Sequence, residues 1–344
     1  MSGALRMASL SPYQDLFVPT KNVACKIGME MDFERPRRPL ELRRRDRRRE
    51  WSADASDMEV QFWGVRGSIA CPDPELARYG GNTSCVEVRC GDSLLILDAG
   101  TGLRGLGRSL VAGGEAVRAD ILLSHCHIDH IIGLPFFAPC HIPTTSLRLW
   151  AGHLSPLATA LRQMMSEPLF PIGFESFKAA VELYDFCAGE VLTPAPGVTV
   201  RTASLNHPGG ATGYRIEYGA SSLAYITDTE HRPGELDRNV LSLAAGVDLM
   251  IYDSTYTDEA WPAHVGWGHS SWQQGVRLAG RAKVKTLALF HHNPEHNDAV
   301  LDRLAEQAHA QFPGSIVAAE GMRLRLGNQA KCYEVPQHEI AVRL

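Results

Sequence analysis

Residues 124–130 read Ser-His-Cys-His-Ile-Asp-His, so His125, His127, Asp129 and His130 place three imidazoles and a carboxylate within six residues. Directly before them, Asp120-Ile121-Leu122-Leu123 is a short apolar run suited to a buried strand. A nitrogen and oxygen cluster delivered to a sheet edge by a buried strand has few physical uses other than holding metal. Alternate side chains of an extended backbone share a face, so His125, His127 and Asp129 converge, while His130 points elsewhere unless the chain turns there. That division of ligands favours two metals over one. A polar loop rich in histidine by chance is the weaker account.

The rest of the chain repeats the device. Val60-Gln61-Phe62-Trp63 alternates as a strand and ends in the glycine-bearing loop 64–68; Cys85-Val86-Glu87-Val88 and residues 93–97 continue an antiparallel run that closes on Asp98-Ala99-Gly100. Asp98 reads equally well as a turn former and as a carboxylate that holds a metal-bound histidine. Residues 198–205 form a strand that delivers His207, and residues 222–227 form one that delivers Asp228, a carboxylate able to give one oxygen to each of two metals. Glu230 and His231 just beyond it are weaker candidates, placed at the rim. Residues 248–253 and 286–290 are further buried strands, the second ending in His291-His292. Gly268-His269-Ser270 precedes a helix over 271–280, and Asn297 caps a second helix reaching about Phe312. Histidines serving only as packing would not favour strand ends. Residues 154–165 have helical spacing and run into a proline-interrupted stretch. That segment is expected to be ordinary packing, with a lid over the site as the alternative.

Length and composition bound the remaining possibilities. With 344 residues and 44% hydrophobic content the chain can bury a large core. No window approaches the apolar length of a membrane span and the first residues lack a signal-peptide pattern, so the expectation is a cytoplasmic protein with no membrane partner. Eight cysteines without a Cys-x-x-Cys pair imply reduced, structural thiols. Cys126, inside the cluster, is expected to face the core. The net charge of −5 divides into +3 for residues 1–57 and −8 for the remainder. Residues 1–57, with the arginine runs at 35–38 and 43–49, are expected to be a disordered basic extension to a hydrolase domain spanning 58–344. A nucleic-acid-binding or membrane-surface arm is the rival reading of that stretch.

Imidazole and carboxylate ligands suit two divalent ions, zinc first and manganese as competitor. Two metals about 3.5–4 Å apart would bind a bridging hydroxide and clamp an attacked centre. An anionic phosphodiester, whose transition state gathers charge on oxygen, fits such a site. The leaving oxygen needs a proton. His269, outside the ligand count, is the candidate to supply it, the alternative being a helix N-terminal residue with no catalytic role.

The order of these motifs resembles the metallo-β-lactamase superfamily over residues 58–326. His125-x-His127-x-Asp129-His130, then His207, Asp228 and His291, match the superfamily's ligand order. The resemblance implies an α/β fold, a four-layer αββα sandwich of two sheets flanked by helices, with metals held along one edge. Asp228 stands where β-lactamases carry cysteine, which argues against lactam hydrolysis. His269 in Gly-His-Ser, with Asn82-Thr83-Ser84 and Asp98-Ala99-Gly100, resembles the ribonuclease Z branch. By that resemblance one metal takes His125, His127 and His207, and the other takes Asp129, His130 and His291. Asp228 would bridge them, Asp129 would also orient the hydroxide, and His269 would assist the leaving group. His291 is preferred to His292 because it directly follows the strand. No long Gly-Pro-rich arm for gripping tRNA is found, and the acidic balance beyond residue 57 disfavours a large polyanion. The implied substrate is a small phosphodiester, such as a cyclic nucleotide or cyclic ribose phosphate, or a short nucleic acid; Arg66 and Arg104 are candidate phosphate contacts, with surface charge the alternative for each. A thioester or lactone hydrolase is the enzymatic rival, and a homodimer is implied by the family alone.

Overall fold

In a computed structural model the described residues are 58–152, 156–327 and, by backbone alone, 331–333; the expectations for residues 1–57 lie outside them. The amino-terminal half supplies β1 (Met58–Gly64), β2 (Cys85–Cys90), β3 (Ser93–Leu97), α1 (Leu103–Ala112), β4 (Arg118–Leu123), α2 (Ile128–Ile131), β5 (Ser146–Ala151), α3 (Leu157–Met164) and β6 (Ala180–Asp185). Strands β1 to β3 pair antiparallel, and β3 to β6 pair parallel.

The second half repeats the plan. It runs β7 (Val191–Leu192), β8 (Val198–Leu205), β9 (Ala211–Tyr218), β10 (Ser221–Ile226), α4 (Arg238–Ala244), β11 (Leu249–Asp253), α5 (Trp272–Ala282), β12 (Thr286–Phe290), α6 (Asp298–Gln311) and β13 (Ser315–Val317). Antiparallel β7 to β10 give way to parallel β10 to β13. The chain then returns to the first sheet, where β14 (Arg323–Leu326) lies antiparallel to β1 and to β15 (Lys331–Tyr333). The sheets therefore have strand orders β15-β14-β1-β2-β3-β4-β5-β6 and β13-β12-β11-β10-β9-β8-β7.

Unbroken apolar strands need cover on both faces, and here they receive it. In β3, Leu95 and Leu97 join a central core with Tyr225, Ile251 and Phe290 of the opposite sheet, while Ile96 turns outward toward Leu103 and Leu106 of α1 and Leu157 and Leu161 of α3. In β12, Ala288 and Phe290 face the centre, while Leu287 and Leu289 meet Leu243 of α4, Trp272 of α5 and Leu301 of α6. Helices, sheet, sheet and helices form the αββα sandwich. The helix α5 starts at Ser271, whose hydroxyl accepts from Gln274 N–H, and α6 starts at Asn297, whose side chain accepts from Val300 N–H.

Residues 154–165 do contain a helix, and its Leu157, Leu161 and Met164 are buried in the outer core, so packing rather than a lid is its structural role. The described cysteines Cys71, Cys85, Cys90, Cys126, Cys140 and Cys187 carry free thiols. Among the described residues no helix is long and apolar enough to cross a membrane.

The loops that carry the histidine cluster approach the β3 exit too closely for side chains. Ala99 N–H donates to His130 O at 2.7 Å and Gly133 N–H donates to Ala99 O at 2.8 Å. A Cβ on Gly133 would stand 2.0 Å from Gly100 O, against backbone that cannot swing aside. Gly133→Ala should therefore cost about 3 kcal/mol, read as a lowered urea midpoint. Gly280→Ala, in α5 with no heavy atom near the added carbon, should instead stabilise by ~0.5–1 kcal/mol.

Candidate metal centre

Each candidate group leaves the carboxyl end of a strand. Asp98 follows β3, residues 124–130 follow β4, His207 follows β8, Asp228 follows β10, Asp253 ends β11 and His291 follows β12. Three of these residues break out of extended backbone by adopting the left-handed region, Asp98 at φ 59°, Asp228 at φ 55° and His291 at φ 59°. For non-glycine residues that conformation costs of order 1–3 kcal/mol each and persists only where surrounding contacts hold it.

The backbone of the cluster differs from the extended chain expected from its spacing. His127 is extended, at φ −64° and ψ 153°, but Ile128–Ile131 forms one helical turn, so alternation no longer decides which side chains meet. The turn brings both Asp129 and His130 inward.

Among five ligand-capable groupings of the described residues, two have the membership expected of separate ligand sets. Ligand-capable atoms of His125, His127 and His207 lie together, and so do those of Asp129, His130 and His291. Asp228 sits between the sets. Its Oδ1 is 3.8 Å from His125 Nε2 and 3.9 Å from His207 Nε2, while its Oδ2 is 3.2 Å from His130 Nε2 and 3.4 Å from His291 Nε2. Asp129 Oδ2 lies 3.2 Å from His130 Nε2 and 3.5 Å from His291 Nε2, and accepts the Ser68 N–H at 2.8 Å. The first set opens to solvent through His127, whereas the second is buried throughout.

Contacts behind the rings decide which nitrogen faces inward. His130 Nδ1 meets Asp98 Oδ2 at 2.7 Å, so Nδ1 carries a proton toward Asp98 and Nε2 is the nitrogen that faces the cluster. His207 Nδ1–H donates to Gly268 O at 2.8 Å and turns Nε2 to within 3.0 Å of His127 Nδ1. His291 Nδ1 lies 3.1 Å from the Thr255 hydroxyl. Asp98 is thus a positioning carboxylate rather than a simple turn former. It also accepts from Ser124 N–H at 2.7 Å and from Tyr225 O–H at 2.7 Å.

Burial would lower the pKa of His130, but the Asp228, Asp129 and Asp98 carboxylates hold it well above the ordinary imidazole value. Burial lowers the pKa of His125, His127 and His207, keeping them neutral and able to donate a lone pair. Burial raises Asp129 and Asp228, but neighbouring histidines more than offset it and hold both carboxylates well below the usual range. The Nε2 atoms of His125, His130 and His291 are buried with no hydrogen-bond partner among the described residues. Buried nitrogens lacking a partner beside ionised carboxylates are costly without a cation. These residues therefore fit metal ions.

Beyond the two sets, His269 Nδ1 pairs with Asp253 Oδ2 at 2.9 Å and lies 3.8 Å from Asp228 Oδ1; its ring stacks on His291 with centroids 4.9 Å apart. Burial alone would lower its pKa, yet the Asp253 charge and hydrogen bond push it up to about 9. Asp253 was not singled out from sequence, although it ends an apolar strand in the same manner as Asp228.

Other candidates separate from the centre. His292 Nε2–H donates to Ala318 O at 2.8 Å, and burial lowers its pKa to about 3; the ring that joins the cluster is His291. Arg66 corrects the expectation of a phosphate contact. It is fully buried, with Nε donating to Gly80 O at 2.8 Å and Nη1 to His296 O at 2.7 Å, because its role is to tie loops together. Arg104 is exposed on α1. Cys126 packs against the outer core and His231 stacks on Trp261 at 4.2 Å, while Glu230 holds a neighbouring loop by its backbone.

The family model for the beta-lactamase superfamily domain matches residues 94–292, from β3 through His291 and His292. The chain belongs to the β-lactamase superfamily. Within it, a Mycobacterium marinum protein named ribonuclease Z is 28% identical over 298 residues, covering 81% of this chain and 99% of the relative. A solved structure of the metallo-β-lactamase fold protein YhfI from Bacillus subtilis superposes with a TM-score of 0.61 at 21% identity, covering 78% of this chain and 99% of that one. A diphosphatase of the PhnP family superposes with a TM-score of 0.58 at 18% identity, covering 80% and 99% respectively. This superfamily member is of the ribonuclease Z-like branch and is a metal-dependent hydrolase.

Since Asp98 sets the His130 tautomer, Asp98→Asn should weaken metal affinity ~10–100-fold, measured by competition with a chromophoric chelator. Unchanged affinity would mean that the carboxylate does not position the ring.

Proposed function

We propose that this chain is a dinuclear metal phosphodiesterase acting on a small phosphodiester, such as a cyclic nucleotide or cyclic ribose phosphate, or on a short nucleic acid. The observation that carries this reading is the Asp228 carboxylate, which offers Oδ1 to His125 and His207 and Oδ2 to His130 and His291. One ion would be held by His125, His127 and His207 and the other by Asp129, His130 and His291, with Asp228 shared. Zinc suits this nitrogen-rich set, and the carboxylates make manganese its competitor. Such ions would supply an activated water at neutral pH and positive charge beside the phosphoryl oxygens.

The protein's own groups then divide the remaining tasks. Asp129, fixed by the Ser68 N–H at 2.8 Å, orients the attacking water. As the water oxygen adds to phosphorus, the bond to the ester oxygen breaks and that oxygen needs a proton. His269 donates its Nδ1–H to Asp253, leaving Nε2–H to protonate the departing oxygen. A ribonuclease and a diphosphatase among the similar proteins support the same reaction class. The charge of −8 beyond residue 57 favours the smaller substrates, because long polyanions are held chiefly by Lys and Arg.

The test uses metal-stripped protein reloaded with zinc or manganese. Two ions per chain and turnover of bis(p-nitrophenyl) phosphate are expected, with turnover abolished in Asp129→Ala. In His269→Ala, kcat should fall ~10²–10³-fold for a cyclic nucleotide, whose alkoxide leaving group needs the proton. The fall should be much smaller for p-nitrophenolate, which leaves without one. Fully loaded protein that hydrolyses a thioester or lactone but no phosphodiester would replace this reading with carbonyl hydrolysis.

A further inference from the structure

The solvent-facing side of the centre ends in a loop built to display one large ring. Gly266 and Gly268 N–H both donate to Glu230 Oε2, at 2.7 and 2.9 Å, and Trp267 N–H donates to His264 O at 3.1 Å. The Gly268 carbonyl accepts from the candidate ligand His207. Both glycines take positive φ, 89° and 84°, and a Cβ on Gly268 would stand 2.2 Å from His207 Nδ1, so this backbone conformation admits little else. Between them the Trp267 side chain is 62% exposed.

Trp267 is also the outer end of a series of rings that starts at His269. Tyr256 meets His269 edge-on at 6.2 Å, His264 stacks on Tyr256 at 4.3 Å, and Trp267 contacts His264 edge-on at 5.0 Å. Ile128, the residue between His127 and Asp129, is 54% exposed. The ion pairs at the centre, among the described residues, join Asp only to His. Trp267 and Ile128 are thus exposed apolar side chains on segments that carry candidate site residues.

We propose that Trp267 is a specificity-determining residue whose indole stacks on a planar organic group of the nucleobase class carried by the substrate phosphate. The proposal rests on the phosphodiesterase reading for the phosphate, whereas stacking is measurable by binding alone. Base stacking on an aromatic side chain corresponds to about tenfold or more in affinity.

The experiment is calorimetric titration of zinc-loaded protein with AMP and with ribose 5-phosphate, in the native chain, Trp267→Phe and Trp267→Ala. Thermal melts would confirm that all three fold. The native protein should prefer AMP about tenfold, Trp267→Phe should keep most of that preference, and in Trp267→Ala AMP should fall to the level of ribose 5-phosphate. The proposal is overturned if the native protein shows no preference for AMP, if Trp267→Ala retains it, or if both ligands weaken equally. An AMP preference that depends on Trp267 in a protein without phosphodiester turnover would remove the proposed reaction and leave the stacking site standing.

Discussion

The Asp98 carboxylate is the interaction on which the rest of the centre depends. It stands at the exit of β3 in one sheet and accepts the hydroxyl of Tyr225 from β10 in the other, at 2.7 Å. It also accepts Ser124 N–H at the start of the histidine cluster and faces His130 Nδ1. One buried anion therefore ties both sheets to the cluster and decides which nitrogen of His130 faces inward. A buried carboxylate is tolerable only when its lone pairs are filled. Here its neighbours fill them, and in doing so they acquire fixed orientations.

The same economy runs through the other rings. His207 is set by a loop carbonyl, His291 by the Thr255 hydroxyl and His269 by Asp253. The inward nitrogens are thus arranged by contacts outside the cluster. Left-handed backbone at Asp98, Asp228 and His291 shows that part of the stability gained by the two sheets offsets local strain at this edge. The glycines at 100 and 133 serve the same end, since only chains without side chains can pass so closely beneath the cluster.

Much of the architecture was legible in the chain. Apolar runs of strand length ending in Asp or His predicted β3, β4, β8, β10, β11 and β12, because burial on both faces leaves an uninterrupted hydrophobic signature. Asn297, read as a cap, marks the start of α6, and the helix expected over 271–280 is α5, which Ser271 caps from outside. The helix α1 and strands β5, β6 and β9 were not singled out. They belong to the frame rather than to the site, and β6 lies at a sheet edge with several exposed residues, so its pattern is weak. The helical turn at Ile128–Ile131 escaped notice because four residues are too few to show a helical period.

Sequence alone determined the donor types, their order and their attachment to strand ends, since residue chemistry and strand burial are local properties. Only the tertiary structure decided which groups meet. It separated His291 from His292, whose ring turns away to a backbone carbonyl, and paired Asp253 with His269 across 16 positions of chain. It also moved Arg66 from the candidate site into the interior and placed Trp267 at the end of a ring series beginning at His269. The reason is geometric: convergence depends on the register of two parallel strand sets and on the left-handed exits between them, and neither leaves a local mark on residue order.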